Sequence, residues 1–183
     1  MTYYGPKEMA ASFRTVRNNT IKIAEEIPEQ HYGYRVKPET RSVAETLAHI
    51  AAATRLQTQV HLVDRLKTLV GFDFFSFIDK QAAEEKRPRS KSEILDMLRT
   101  EGEEFARTLE SLPDDFLAEN VEYPQGMVPP TKSRFEMLIS AKEHEMHHRG
   151  QLMVVERLLG ITPHLTRQMQ ERVAVMRAAA AAS

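Results

Sequence analysis

Two histidines four residues apart, His144 and His148, stand in the stretch Glu143-His144-Glu145-Met146-His147-His148-Arg149-Gly150-Gln151-Leu152. On an α-helix, residues i and i+4 project from one face with Cβ atoms about 5–6 Å apart, which lets two imidazoles share one metal ion. The same letters from His144 spell H-E-x-x-H, the zinc-peptidase signature in which the intervening glutamate, here Glu145, is the general base. A peptidase would take its third ligand from downstream, where Glu156 and Glu171 are the glutamates on offer. The extended form H-E-x-x-H-x-x-G-x-x-H is not met, because Gln151 holds the glycine position and Gly150 falls one residue early. Such enzymes also hold an extended substrate against a strand edge, and no strand pattern precedes this helix. The peptidase is therefore the remote alternative.

Helical phase gives the histidines another meaning. Met137, Ala141, His144, His148, Leu152, Val155 and Leu159 recur at steps of four and three, which places both histidines on the stripe that must face the core. An unsatisfied buried polar group costs about 1–3 kcal/mol, and a divalent metal satisfies two imidazoles at once. His147 lies to one side of this stripe; it reads as flanking, or as a ligand in place of His148.

A third ligand must come from His31, His49, His61 or His164. His49 shares a helical row with Ala53, Leu56, Val60 and Val63 and is the natural candidate. His61 is also near an apolar face, but it stands twelve residues further on. That is about 18 Å along a helix axis, so it cannot bind the same ion as His49. His31, after a helix end, and His164, after Pro163, read as surface loop residues. Outside the peptidase reading, Glu145 can pair with Arg149 at i+4 on a helix flank, a contact contributing about 0.2–0.5 kcal/mol. Gly150 costs the helix about 1 kcal/mol relative to alanine, which points to close approach of another helix or a ligand.

The elements that must position these residues are helical. Pro6 opens a first amphipathic pattern through Met9, Phe13, Val16, Thr20, Ile23 and Ile27. Ser42-Val43-Ala44-Glu45 is a capping box that starts a second helix, running on toward Leu69 with Gly71 as its stop. A second box, Ser90-Lys91-Ser92-Glu93, starts a third, with Ile94, Leu98, Gly102, Phe105, Leu109 and Leu112 down one face. The fourth opens near Thr131 and ends at Leu159, before Gly160 and Pro163. Arg167 to Ala182 reads as a short C-terminal helix. Between the second and third patterns, Gly71 to Arg89 reads as a connection whose Phe72, Phe74, Phe75 and Phe77 cap the open end of the fold. Leu112 to Pro130 reads as an ordered crossover loop. These features predict an all-α protein, a four-helix bundle with long crossover connections and a short C-terminal helix, forming one domain over 1–183 with its core at about 3–163.

Composition removes several classes of function. With 25 basic and 26 acidic residues the chain has no positive excess for nucleic acid or an anionic membrane. Neither a secretory leader pattern nor an apolar run of roughly 18 residues is present, so a cytoplasmic protein is expected. There is no cysteine, which excludes disulfides, Cys-ligated zinc and a thiol nucleophile from this chain; any thiol chemistry must use an external thiol.

The stretch Thr40-Arg41-Ser42-Val43-Ala44-Glu45-Thr46-Leu47-Ala48-His49-Ile50, followed far downstream by His144 to Leu152 and then Leu159-Gly160-Ile161-Thr162-Pro163, resembles the DinB/YfiT-like superfamily of metalloenzymes. In that family a serine opens the second helix, a histidine follows about seven residues later, and the fourth helix carries H-x-x-x-H-R-G-Q-L. The resemblance covers roughly Tyr3 to Pro163. It departs at Arg41, where the family often has tryptophan. It implies a three-histidine site, His49, His144 and His148, for a divalent ion such as zinc, nickel, iron or manganese. It further implies activation of water or a low-molecular-weight thiol co-substrate for S-transfer, isomerisation or hydrolysis of a small molecule, and a homodimer. A non-catalytic metal-binding bundle is the alternative.

Overall fold

The computed structural model describes residues 4–182; Tyr3, where the resemblance begins, lies outside them. Four helices carry most of the packing: α1 (Pro6–Glu26), α2 (Val43–Ala52), α5 (Lys91–Glu110) and α7 (Arg134–Leu158). Both expected capping boxes form, with Ser42 accepting from the Glu45 amide and Ser90 from the Glu93 amide. A third box, Ser133 with Glu136, starts α7 at Arg134, three residues after the N-terminus expected near Thr131.

The apolar stripes of α1 and α5 meet as their spacing predicts. Met9, Phe13, Val16, Thr20, Ile23 and Ile27 are buried on one side, and Ile94, Leu98, Gly102, Phe105 and Leu109 on the other. The apolar contacts divide into layers. Met9, Ala10 and Phe13 pack with Phe105, Leu109, Leu138 and Ala141 at one end, and Ile23, Ala24 and Ile27 pack with Leu47, Ile94, Leu98 and Leu152 at the other.

Between these layers lies an ion pair. Arg17 and Glu145 are 3% and 1% exposed, with Arg17 Nη2 2.9 Å from Glu145 Oε2 and Arg17 Nε 3.0 Å from both carboxylate oxygens. The remaining guanidinium donors reach the carbonyls of Leu98 at 2.8 Å and Ile50 at 3.3 Å. The surface pair expected between Glu145 and Arg149 is thus replaced by a core pair to α1. Gly102 makes room for it, since a Cβ there would lie 2.8 Å from Arg17 Cγ. Gly150, by contrast, is exposed, and no other helix among the described residues approaches it closely.

Several connections differ from expectation. The second helix ends at Ala52; a short α3 (Thr54–Gln57) and a wider π-type turn over Thr58–Val63 follow, and the chain then leaves helical geometry well before Leu69. Leu69 donates to the Glu122 carbonyl at 2.8 Å, which pulls this segment toward a sheet. The connection 71–89 contains a helix, α4 (Phe74–Glu85). Its phenylalanines do not form a cap as a group, since Phe72 packs near Val60 and Val121 whereas Phe75 is 82% exposed. The crossover 112–130 contains α6 (Asp114–Ala118) and β1 (Asn120–Glu122), which pairs antiparallel with β2 (Thr131–Ser133). The C-terminal helix, α8 (His164–Ala181), begins three residues earlier than expected and is not short. No helix among the described residues is long and apolar enough to cross a membrane.

Breaking a buried ion pair from one side leaves an uncompensated charge and costs about 3–5 kcal/mol, whereas replacing both partners by apolar groups is often neutral. Glu145→Gln is therefore expected to destabilise the protein by about that amount in urea denaturation, and Arg17→Met combined with Glu145→Leu to recover most of the loss.

Candidate metal centre

α2 and α7 bring His49, His144 and His148 together, with one ring nitrogen from each within 4.8 Å of the others. His49 Nε2 is 3.0 Å from His144 Nε2, and His148 Nε2 is 3.2 Å from the same atom. The outer nitrogens decide what these contacts mean. Glu85 Oε1 accepts from His49 Nδ1 at 2.6 Å. Gln151 Oε1 accepts from His148 Nδ1 at 2.9 Å, while the Gln151 amide nitrogen donates to His147 Nε2 at 3.0 Å. With their protons on Nδ1, both His49 and His148 present an Nε2 lone pair to His144 Nε2. His144 can donate one proton at most to one of them, so hydrogen bonds among the rings leave a lone pair facing a lone pair. His144 Nδ1 is buried with no partner among the described residues, so none of them fixes that ring's tautomer.

A divalent ion fits this donor set. Nitrogens about 2.0–2.1 Å from one tetrahedral ion stand roughly 3.3 Å apart, close to the two separations found here. Binding needs neutral rings, and the surroundings of His144 and His148 favour that form. Burial, reinforced by His148 and His49, pushes the His144 pKa down to about 4. Burial also lowers that of His148, against the opposing pull of Gln151. Burial works against the charge of Glu85, but the hydrogen bonds from His49 and Arg41 outweigh it and hold its pKa below the ordinary carboxylate value.

The other sequence candidates lie elsewhere. His147 is exposed and outside the cluster. His61 is fully buried and accepts from Arg134 at 2.9 Å; burial first, and Arg134 second, push its pKa down to about 4. His164, expected on the surface, is 4% exposed at the first residue of α8, with Asn19 3.1 Å from its Nε2. His31 remains half-exposed in a short turn. Glu145 cannot serve as the base of a peptidase here, because Arg17 holds both of its buried oxygens. Glu85 is the residue that spacing missed. Its one signal is the charged run Glu84-Glu85-Lys86-Arg87 after an aromatic segment, which reads equally well as a solvated loop.

Cavities flank the cluster. An inner chamber of about 220 Å³ is bounded by His49, His144, Ala53, Leu56, Phe77 and Ile78. At about 30 Å³ for each water-sized group, it takes roughly seven such groups. An outer cleft of about 1050 Å³ reaches His148 and Gln151. Arg41, Ala82 and Glu85 line both spaces. Arg41 Nε donates to Glu85 Oε2 at 2.8 Å, so this ion pair forms part of the partition between them.

Comparison with known proteins gives one family and one recurring fold. The profile described as DinB family matches residues 1–174. The uncharacterized protein YjoA of Bacillus subtilis is 24% identical over 159 residues, covering 85% of this chain and 91% of the relative. The crystal structure of that DinB-like protein superposes with a TM-score of 0.62 over 85% of this chain and 93% of its own. A Streptococcus pneumoniae protein and an uncharacterized Clostridium difficile protein, each 17% identical, both give a TM-score of 0.64 over 86% of this chain and over 93% and 98% of their own.

In metal-free protein, NMR titration of the His144 ring is expected to show a midpoint near 4 instead of the ordinary value of about 6.5. The unfolded chain takes up this proton at the higher pH. The contribution to stability is therefore full above about 6.5 and is lost as pH falls from there through about 4.

Proposed function

This chain belongs to the DinB family, and from that premise we propose that it is a metal-dependent enzyme acting on a small molecule, with one divalent ion held by His49, His144 and His148. The observation that carries this reading is the convergence of three ring nitrogens at 3.0 and 3.2 Å, with the outer nitrogens of two rings already committed to Glu85 and Gln151. Three neutral ligands leave a divalent ion its full charge and an open position; when bound, it supplies a Lewis acid that lowers the pKa of a water or thiol. The absence of cysteine means that such a thiol comes from outside the chain. S-transfer, isomerisation and hydrolysis are the reaction classes this supports.

The residues of this chain then hold and orient. His49 and His148 keep their protons on Nδ1, against Glu85 and Gln151, and so offer Nε2. Ala53, Leu56, Phe77 and Ile78 give the inner chamber the apolar part of its wall, beside the polar side chains of Arg41, Gln57, Gln81, Glu85 and Ser140. The adjoining spaces favour an enzyme over a closed structural site, because a small molecule can reach the histidines from the chamber or from the cleft. In this reading α1, α2, α5 and α7 are the four helices of a bundle. The homodimer belongs to it too, with Met169 and Met176, seven residues apart on α8 and both exposed, as an apolar surface available for pairing; sedimentation at micromolar concentration is expected to give twice the chain mass.

Elemental analysis tests the centre directly. Wild-type protein is expected to carry up to one equivalent of a divalent metal. His49→Ala is expected to lose it, and His147→Ala to keep it. Metal retained in His49→Ala would sink the three-histidine site.

A further inference from the structure

The helix that periodicity leaves out of the core, α4, has one buried side chain among the described residues, Glu85 in its last turn. Phe74, Phe75 and Ile78 are 46%, 82% and 43% exposed, so apolar burial contributes little to holding α4 in place. Its buried attachment is polar: Glu85 accepts from His49 at 2.6 Å and from Arg41 at 2.8 Å. From this attachment Phe77, Ile78, Gln81 and Ala82 are laid over the inner chamber.

We propose that Glu85 is a positioning residue through which metal loading and the docking of α4 become one equilibrium. The proposal rests on the metal-centre reading above. His49 offers Nε2 to an ion only while Nδ1 keeps its proton, and a carboxylate on Nδ1 fixes both that tautomer and the ring's orientation. In the other direction, an ion on Nε2 draws electron density from the ring and makes Nδ1–H a stronger donor to Glu85. Coupling of this kind is reciprocal: if docked α4 improves the ion's affinity, the ion stabilises docked α4 by the same factor. A metal-free chain therefore holds α4 less firmly than a loaded one. Arg41 is the second donor to the same carboxylate, placed so that Glu85 is gripped from the partition as well as from the centre.

The test uses the full chain with zinc as the only added ligand. Zinc affinity is measured by competition with a chromophoric chelator, hydrogen exchange of residues 74–85 by mass spectrometry with and without zinc, and the His49 tautomer by long-range proton–nitrogen NMR. In wild type, zinc is expected to slow exchange across 74–85 by at least about fivefold. Glu85→Gln is expected to weaken zinc binding by about 10–100-fold, to abolish the zinc-dependent protection of α4, and to shift His49 toward a mixture of tautomers. A carboxylate that merely helped the fold would leave the tautomer and the zinc-dependent difference unchanged. If Glu85→Gln does not fold, the wild-type exchange comparison decides alone. Zinc binding with no change in α4 exchange, or undiminished affinity in a folded Glu85→Gln, overturns the coupling and leaves the metal centre standing. A wild-type chain that binds no zinc overturns both.

Discussion

The buried pair of Arg17 and Glu145 is the constraint on which the arrangement of the long helices depends. Taking a guanidinium and a carboxylate out of water costs several kcal/mol for each ion, and only close, complete hydrogen bonding offsets that cost. Here the guanidinium reaches groups on three other helices: Glu145 on α7, the Leu98 carbonyl on α5 and the Ile50 carbonyl on α2. A helix that slid or turned by one residue would leave one of these groups unpaired between two apolar layers. The pair thus favours one register where apolar contacts alone would tolerate several. It also acts on the neighbouring histidines, because Glu145 follows His144 and Ile50 follows His49 in the chain. The residues next to two of the three clustered histidines are thus held by a buried charge pair.

That pair also explains what the sequence could and could not convey. The stripes of α1 and α5 were legible because their core positions are nearly all apolar, and the two capping boxes fixed where α2 and α5 begin. The trio of histidines was legible because i, i+4 spacing and a shared helical row are local facts. The phase of α7 was legible in part: Met137, Ala141, His148 and Leu152 of the expected stripe are buried and His144 is half-buried. The buried face also includes Arg134, Glu145 and Glu156, and an apolar count discards such charged residues as surface. Glu156 is the extreme case: it is fully buried with neither oxygen partnered, and burial, with Glu26 nearby, pushes its pKa up to about 7. Burial thus moves the titration of its carboxyl into the neutral range, and no pattern in the chain announces that.

The missed elements share a physical cause. α4 buries little, so it has no strong period, and a run of phenylalanines at neighbouring positions points around the whole helix instead of down one face. β1 and β2 are three residues long, too short to show alternation, and they pair across the crossover because Leu69 and Arg134 supply further backbone bonds at their edges. His164 was read as surface from its neighbour Pro163, yet that proline starts a helix that folds the histidine against Asn19. In each case a long-range contact decided what local sequence left open.

The shift in phase along α7 has a functional consequence. Had His144 and His148 occupied the centre of the buried face, as their apolar neighbours suggested, they would be dry but closed to any small molecule. With Glu145 at the centre, His144 moves to the flank and His148 lies at the boundary, buried yet lining the outer cleft. A metal centre that does chemistry needs both conditions: enough burial to keep imidazoles neutral, and an approach for the reactant. The ion pair supplies the first by anchoring α7 deeply, and the rotation that this anchoring imposes supplies the second. The glutamate of the H-E-x-x-H letters thus lies behind the cluster in a pair with Arg17, while His144 lines the inner chamber and His148 the outer cleft.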